Sequence, residues 1–180
     1  TGHSMTLLET ERLCLRRLDK NDAAALSHIF GDAQVMRFGD GVQTEAWIGG
    51  WLARVVQDYE EKGYGPLAVV AKQNGLLIGY CGLFDFADIN GRPEIELGYR
   101  LIKQAWGKGY TTEAGTAVRD YAFTDLGIKR LVSLIDPGNS ASIAVARKLG
   151  MVYEADVLLE GYTHPDHLYV INKVPGKHQL

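Results

Sequence analysis

The chain has 180 residues, 46% hydrophobic and 23% charged, with a net charge of −3; this is the composition of a globular protein with enough volume for a real core. The slightly acidic balance excludes the basic footprint of a nucleic-acid binder and gives no attraction to an anionic membrane, and no apolar run approaches the roughly 20 residues of a membrane span. Cys14 and Cys81 stand inside strand-like runs and read as buried thiols, so a reducing compartment, the cytoplasm, is the default expectation.

Thr1-Gly2-His3-Ser4, ahead of Met5, reads as an expression-tag remnant, which leaves residues 5–175 as a single expected domain and 176–180 as a tail. Residues 12–18 form the first expected strand. Asp19 then caps a helix that runs to about Phe30, with Leu26, Ile29 and Phe30 on its apolar stripe. Thr44 opens a second helix, with Trp47, Ile48, Trp51, Leu52, Val55 and Val56 at helical spacing, and Gly63, Gly65 and Pro66 end it. A strand over 67–71 meets a return strand over 76–86 through the Asn74-Gly75 turn. Residues 88–93 read as a loop before a strand from Glu94 to Ile102. A helix over 111–125 is closed by Gly127, and a strand covers 130–135. A short helix covers 140–148, and strands over 151–159 and 167–172 complete the chain. This element order predicts a mixed α/β domain with a mostly antiparallel sheet of about seven strands and about four helices.

The most informative stretch is Gln104 to Ala114, where a strand breaks into a loop holding Gly107, Lys108 and Gly109 and then a helix starts. The first amides of a helix lack intrahelical acceptors, and they sit at the positive end of its dipole. Such a start is an anion site, and glycines let a ligand approach the backbone closely. A phosphate or pyrophosphate is therefore the expected ligand class. The spacing is not that of a P-loop, because no Gly-Lys-Ser/Thr follows, nor of a dinucleotide fingerprint, which would need glycine at Thr112.

Glu96-Leu97-Gly98-Tyr99, then Trp106-Gly107-Lys108-Gly109-Tyr110, then Thr112-Glu113-Ala114, resemble the acetyl-CoA motif of the GNAT N-acetyltransferase superfamily. The opening Thr10-Glu11-Arg12-Leu13-Cys14-Leu15-Arg16 and the later Asn139-Ser140-Ala141-Ser142 and Lys148-Leu149-Gly150-Met151 resemble its ribosomal-protein N-acetyltransferase branch. The resemblance covers residues 7–172. It implies a twisted sheet splayed in a V, with acetyl-CoA as co-substrate. The pyrophosphate would meet the amides of Gln104, Gly107, Lys108, Gly109, Tyr110 and Thr111. The pantetheine arm would pair with backbone groups of Leu97, Tyr99, Leu101 and Ile102 as an added strand. The acetyl group would lie near Glu96 and Asn139.

Acetyl transfer to an amine needs a neutral nucleophile, a hydrogen-bond donor for the developing oxyanion and a tolerated thiolate. By spacing alone, Glu94 and Glu96 read as decorating a solvated face; by resemblance, Glu96 becomes the candidate for amine deprotonation, directly or through a water, and Glu94 keeps the solvated reading. An oxyanion donor is expected among the backbone amides of residues 97–99. The family often carries a tyrosine seven residues after the asparagine equivalent to Asn139, and here that position is Ala146. Ser142 is the alternative proton relay, or a packing and capping residue, and it is also a candidate cofactor contact. Asn139 either binds the pantetheine or orders its turn. Phe38, Trp47, Tyr64, Tyr80 and Phe84 are candidate acceptor-pocket residues, with core packing as the competing reading. His164-Pro165-Asp166-His167 reads as a polar loop, and no metal is expected. The function implied is transfer from acetyl-CoA to a primary amine, on a protein N-terminus or a small molecule, in a monomer or homodimer. The competing class is a non-catalytic acyl-CoA-binding regulatory module, and a phosphate site for another nucleotide is a third reading.

Overall fold

The computed structural model describes residues 5–175, so the expected tag remnant and the tail over 176–180 lie outside the described residues. Two compact units emerge, one made of the chain up to Phe84 with Gly98–Val118, the other of Asp85–Leu97 with the chain from Arg119 onward.

In the first unit β1 (Thr6–Glu9) pairs antiparallel with β2 (Leu13–Arg17), β2 with β3 (Pro66–Ala71), and β3 with β4 (Leu77–Ile89). Leu13 and Leu15 of β2 are fully buried, and β3 is buried almost throughout. Burial on both faces explains why the Pro-Leu-Ala-Val-Val-Ala run shows no polar alternation. Asp19 begins a capping box over a short 3₁₀ turn, and α1 (Ala23–Phe30) follows. Asp22 is buried against Arg16, whose two terminal nitrogens donate to its carboxylate at 3.0 and 2.9 Å. Thr44 caps α2 (Glu45–Lys62) by accepting the Trp47 amide at 3.1 Å. Near the far end of α2, Tyr59 accepts the Leu18 amide at 3.0 Å and donates to the Pro66 carbonyl. One phenol thus ties α2 to the segment after β2 and to the start of β3.

The second unit contains β6 (Arg130–Ile135), α4 (Ser140–Lys148), β7 (Val152–Val157) and β8 (Asp166–Asn172). β8 pairs antiparallel with both β6 and β7. Ile89, Val132, Val157, Leu168 and Val170 form a buried apolar cluster there. β5 (Arg92–Leu101) and α3 (Tyr110–Thr124) complete the element set, and the sheet order is β1-β2-β3-β4-β5-β6-β8-β7. The fold is therefore α+β, among the described residues a mixed, mostly antiparallel sheet of eight strands with four α-helices.

Two expectations change. The sheet has an eighth strand, β1, because Thr6–Glu9 is largely exposed and its sequence shows no buried face to read. The expected loop over 88–93 is instead a tight hairpin: β4 runs to Ile89, and only Asn90 and Gly91 turn the chain, at φ of +50° and +90°. Two successive positive φ values match the twist of a two-residue hairpin, the geometry that Asn-Gly favours. Its signal was masked by the polar residues around it.

Candidate functional site

In the first unit, β5 ends at Leu101, a short 3₁₀ turn covers Lys103–Ala105, and the chain reaches α3 through Gly107 and Gly109, at φ of +74° and +82°. Such values are costly for residues with a Cβ, which is why glycine stands at both. The Glu113 amide donates to the Gly109 carbonyl at 3.1 Å. Gly109 is thereby the cap, and the amides of Tyr110, Thr111 and Thr112 have no intrahelical acceptor by helix geometry. Gln104, Gly107, Lys108 and Gly109 are exposed, Thr111 is half-buried and Tyr110 is buried. The sequence-predicted anion seat is therefore an exposed glycine loop at a helix start.

This loop is braced from the residues just ahead of β2. Arg12 donates from Nη1 to the Lys108 carbonyl at 2.9 Å and from Nε to Glu113 at 2.7 Å, and its guanidinium lies 4.3 Å from the Tyr110 ring centroid. Glu113 also accepts the Arg12 amide at 2.9 Å and the Thr10 hydroxyl at 2.6 Å. Its partial burial opposes ionisation, but these hydrogen bonds prevail and hold the carboxyl below its ordinary 4.5.

Backbone groups of the expected pantetheine strand are partly engaged. The Leu101 carbonyl accepts the Trp106 indole at 3.0 Å, and the Ile102 amide donates to Ile78 at 2.8 Å. Tyr99 is half-buried, Leu97 and Leu101 buried.

In the second unit, β5 and β6 run parallel, with Glu96↔Val132 as their register pair. Side chains then bridge the two strands. Ser133 donates to the Leu97 carbonyl at 2.7 Å, and the Leu134 amide donates to Glu96 Oε2 at 2.9 Å. Glu96 is thus held at the seam and half-buried, not spread on a solvated face. Glu94 is not solvated either: it is 5% exposed and meets Arg130 at 3.0 Å and Arg92 at 3.1 Å. Arg130 also reaches Glu154 at 2.7 Å. Ion pairing therefore absorbs Glu94, while Glu96 faces a backbone amide. A serine amid the apolar run of β6 is the sequence signal for Ser133.

Asn139 caps α4 by accepting the Ser142 amide at 3.2 Å, so it orders its turn. Ser142 is half-buried on the first turn of that helix. Ala146, standing where the family often has tyrosine, is 2% exposed and packs as core. His164 meets Asp136 at 2.8 Å, and these two with Asp166 bring donor atoms within 4.8 Å of one another. Asp136 is 28 positions before His164, so the sequence spacing could not show the grouping.

Of the five pocket candidates, three meet in one aromatic cluster of the first unit. Trp47 packs edge-on to Phe30 (centroids 4.9 Å), Tyr80 stacks on Phe30 (5.5 Å), and Phe84 packs edge-on to Tyr80 (6.2 Å). Phe30 and Trp51 belong to it as well, and helical periodicity had placed both on plain core stripes. The Tyr80 hydroxyl accepts from Arg100 at 2.9 Å. Phe38 lies under Arg37 at 4.8 Å, and Tyr64 is half-buried. No helix among the described residues is long and apolar enough to cross a membrane.

Comparison with known proteins fits this architecture. The family model for the acetyltransferase (GNAT) domain matches residues 12–152. An uncharacterised protein of Bacillus subtilis, YkkB, is 36% identical over 86% of this chain and 90% of its own. The uncharacterised N-acetyltransferase p20 of Bacillus licheniformis is 31% identical over 88% of each chain. Among solved structures, a ribosomal L7/L12 α-N-protein acetyltransferase, RimL, in complex with coenzyme A, superposes with a TM-score of 0.77 at 17% identity, covering 93% of this chain and 98% of its own. With its glycine loop at a helix start, its parallel β5–β6 seam and a domain match across most of its length, the chain belongs to the GNAT family of N-acetyltransferases.

Proposed function

We propose that this acetyltransferase moves an acetyl group from acetyl-CoA to a primary amine, of a protein N-terminus or a small molecule, by direct transfer in a ternary complex, with Glu96 as the base. The observation that carries this reading is the Leu134 amide on Glu96 Oε2 at 2.9 Å, which fixes a carboxylate at the β5–β6 seam. Glu96 takes a proton from the ammonium directly or through a water. The amine nitrogen then bonds to the thioester carbon, the oxyanion meets a backbone amide of residues 97–99, and the carbonyl re-forms as the carbon–sulfur bond breaks to release thiolate, which takes up the surplus proton that the nitrogen sheds. Ser142 is the side-chain candidate to relay a proton to that thiolate, since Ala146 has none to give.

Acetyl-CoA is held, in this reading, by Gln104, Gly107, Lys108, Gly109, Tyr110 and Thr111 at the pyrophosphate. Leu97, Tyr99, Leu101, Ile102, Asn139 and Ser142 take the pantetheine arm, a role that the engaged Leu101 carbonyl and Ile102 amide narrow. RimL, solved with coenzyme A, lends this its support. The half-buried aromatic rings of Trp47 and Phe84, with Tyr80, are the proposed acceptor surface, and Phe38 and Tyr64 its outlying members. Residues 5–175 act as one acetyltransferase domain, a monomer or homodimer working in the cytoplasm without metal, nucleic acid or membrane.

The test is Glu96→Gln. Glutamine keeps an oxygen that can accept the Leu134 amide, so the seam is preserved while proton acceptance is lost. Turnover should fall by about 10²–10⁴-fold with little change in acetyl-CoA affinity, and activity should partly return at high pH, where free amine is abundant. Unchanged kcat and pH profile with the acetylated amine would remove Glu96 from the reaction. Absence of thiol release from acetyl-CoA across a broad amine panel, with coenzyme A still binding, would favour the non-catalytic module.

A further inference from the structure

We propose that Arg12 is a positioning residue for the acetyl donor, setting the direction of the Gly109 amide before the donor arrives. The proposal rests on the reading of the glycine loop as the pyrophosphate seat. Arg12 grips the loop on both sides of Gly109: the Lys108 carbonyl at 2.9 Å before it, and the Tyr110 ring at 4.3 Å and Glu113 carboxylate at 2.7 Å after it. A Cβ added at Gly109 would stand 3.5 Å from Arg12 Nη2, so the guanidinium lies against the glycine itself.

Peptide geometry turns this grip into an orientation. In a trans peptide the C=O and N–H point in opposite directions. Holding the Lys108 carbonyl toward Arg12 therefore points the Gly109 amide away from Arg12. Gly107 and Gly109 are the two softest backbone positions of the loop, and without a brace the peptides between them would sample many directions. A loop that must be frozen by its ligand binds more weakly than one already ordered. The task suits arginine: it needs donors aimed at a carbonyl and a carboxylate at once, held at a fixed angle by a planar group, and an ammonium has no such fork. Glu113 holds the brace in turn, through the Arg12 amide and the Thr10 hydroxyl.

The experiment compares donors with and without a pyrophosphate. Coenzyme A affinity is measured by calorimetry for the wild type, Arg12→Ala, Arg12→Lys and Glu113→Gln, with circular dichroism to check folding. Steady-state kinetics follow with acetyl-CoA and with S-acetylpantetheine, using the amine that the wild type acetylates fastest in a panel. Arg12→Ala should weaken coenzyme A binding and raise the acetyl-CoA KM by about tenfold, with kcat little changed. Arg12→Lys, keeping one contact, should lose less. The kcat/KM for S-acetylpantetheine, which cannot feel the loop through a pyrophosphate, should stay within about twofold of wild type. Wild-type coenzyme A affinity in Arg12→Ala would overturn the proposal and leave the donor reading intact. Equal losses with both donors would also overturn it, marking Arg12 as a mere fold brace. A wild type that binds no coenzyme A overturns the donor reading and this proposal together. Should Arg12→Ala fail to fold, Arg12→Lys and Glu113→Gln carry the same comparison.

Discussion

Tyr59 shows how one side chain can hold three segments. Its ring is buried, and its hydroxyl satisfies the Leu18 amide and the Pro66 carbonyl. Arg17 lies over its face at 4.9 Å. Burial pushes the phenol up to about 12 from its ordinary 10.0. Tyr59→Phe would keep the apolar contacts and strand both backbone partners, at about 1–3 kcal/mol each and so about 2–6 kcal/mol together. Urea unfolding should show a loss in that range, and a midpoint equal to wild type would mean that water replaces the hydroxyl. The sign of the pH effect follows from the raised value. The folded phenol keeps its proton where the unfolded one loses it, so this contribution is whole below pH 10 and falls away as pH climbs toward 12. The Cys81 thiol, pushed up to about 12 by full burial, should likewise resist alkylating reagents until the chain unfolds.

At the scale of elements, Asn139 and α4 give a test that separates a cap from a ligand. Its side chain accepts the Ser142 amide at 3.2 Å, and removal of such a cap costs about 0.5–2 kcal/mol. Asn139→Ala should lower the melting point accordingly, while Asn139→Asp, which keeps an acceptor, should not. If coenzyme A affinity also falls in Asn139→Asp, the amide group serves the pantetheine as well as the turn; if it does not, the residue orders α4 alone. Such elements were the most legible part of the sequence. α4 and β6 fall on their expected bounds, and α3 is displaced by one residue, because capping residues, terminal glycines and apolar spacing all act within a few neighbours. β1 was hidden because an exposed edge strand has no buried face to pattern it. The glycine loop was legible too, as a local strand–loop–helix signal. Its brace was not: Arg12 and Glu113 stand 101 positions apart, and only the folded chain brings the residue just ahead of β2 to the first turn of α3. Glu94 and Glu96 share a strand face and the same residue type, and what separates them is the partner each finds on β6 or beside it, Arg130 for one and the Leu134 amide for the other. Spacing along β5 carries no information about that.

For the whole molecule, these carboxylates decide how the fold meets acid. Glu9, beside Lys72, and Glu113 and Glu154 lie below their ordinary 4.5, and Asp136 below its ordinary 3.8. For Glu154 the leading cause is its hydrogen bond to Arg130; for Asp136 it is the amide of Gly138. Asp166 opposes them, raised first by burial and then by the charge of Asp136. A carboxyl depressed in the fold takes up its proton more readily when unfolded. Its contribution is therefore present above the unfolded value and is lost as pH falls through the folded one. Among the described residues, four depressed groups against one raised group predict that unfolding free energy declines from about pH 4.5 downward. Each proton taken up on unfolding steepens that decline by up to about 1.4 kcal/mol per pH unit. Glu113→Gln provides the control, because it removes one titrating group while leaving an oxygen for Thr10 and the Arg12 amide. Wild type and variant are compared by urea unfolding at intervals from pH 6 to pH 3. The variant should start lower at neutral pH, where the charged brace is lost, and fall less steeply in acid. Parallel curves would show that Glu113 titrates alike in folded and unfolded chains, and the Arg12–Glu113 charge pair would then contribute nothing to the stability of the loop that it spans.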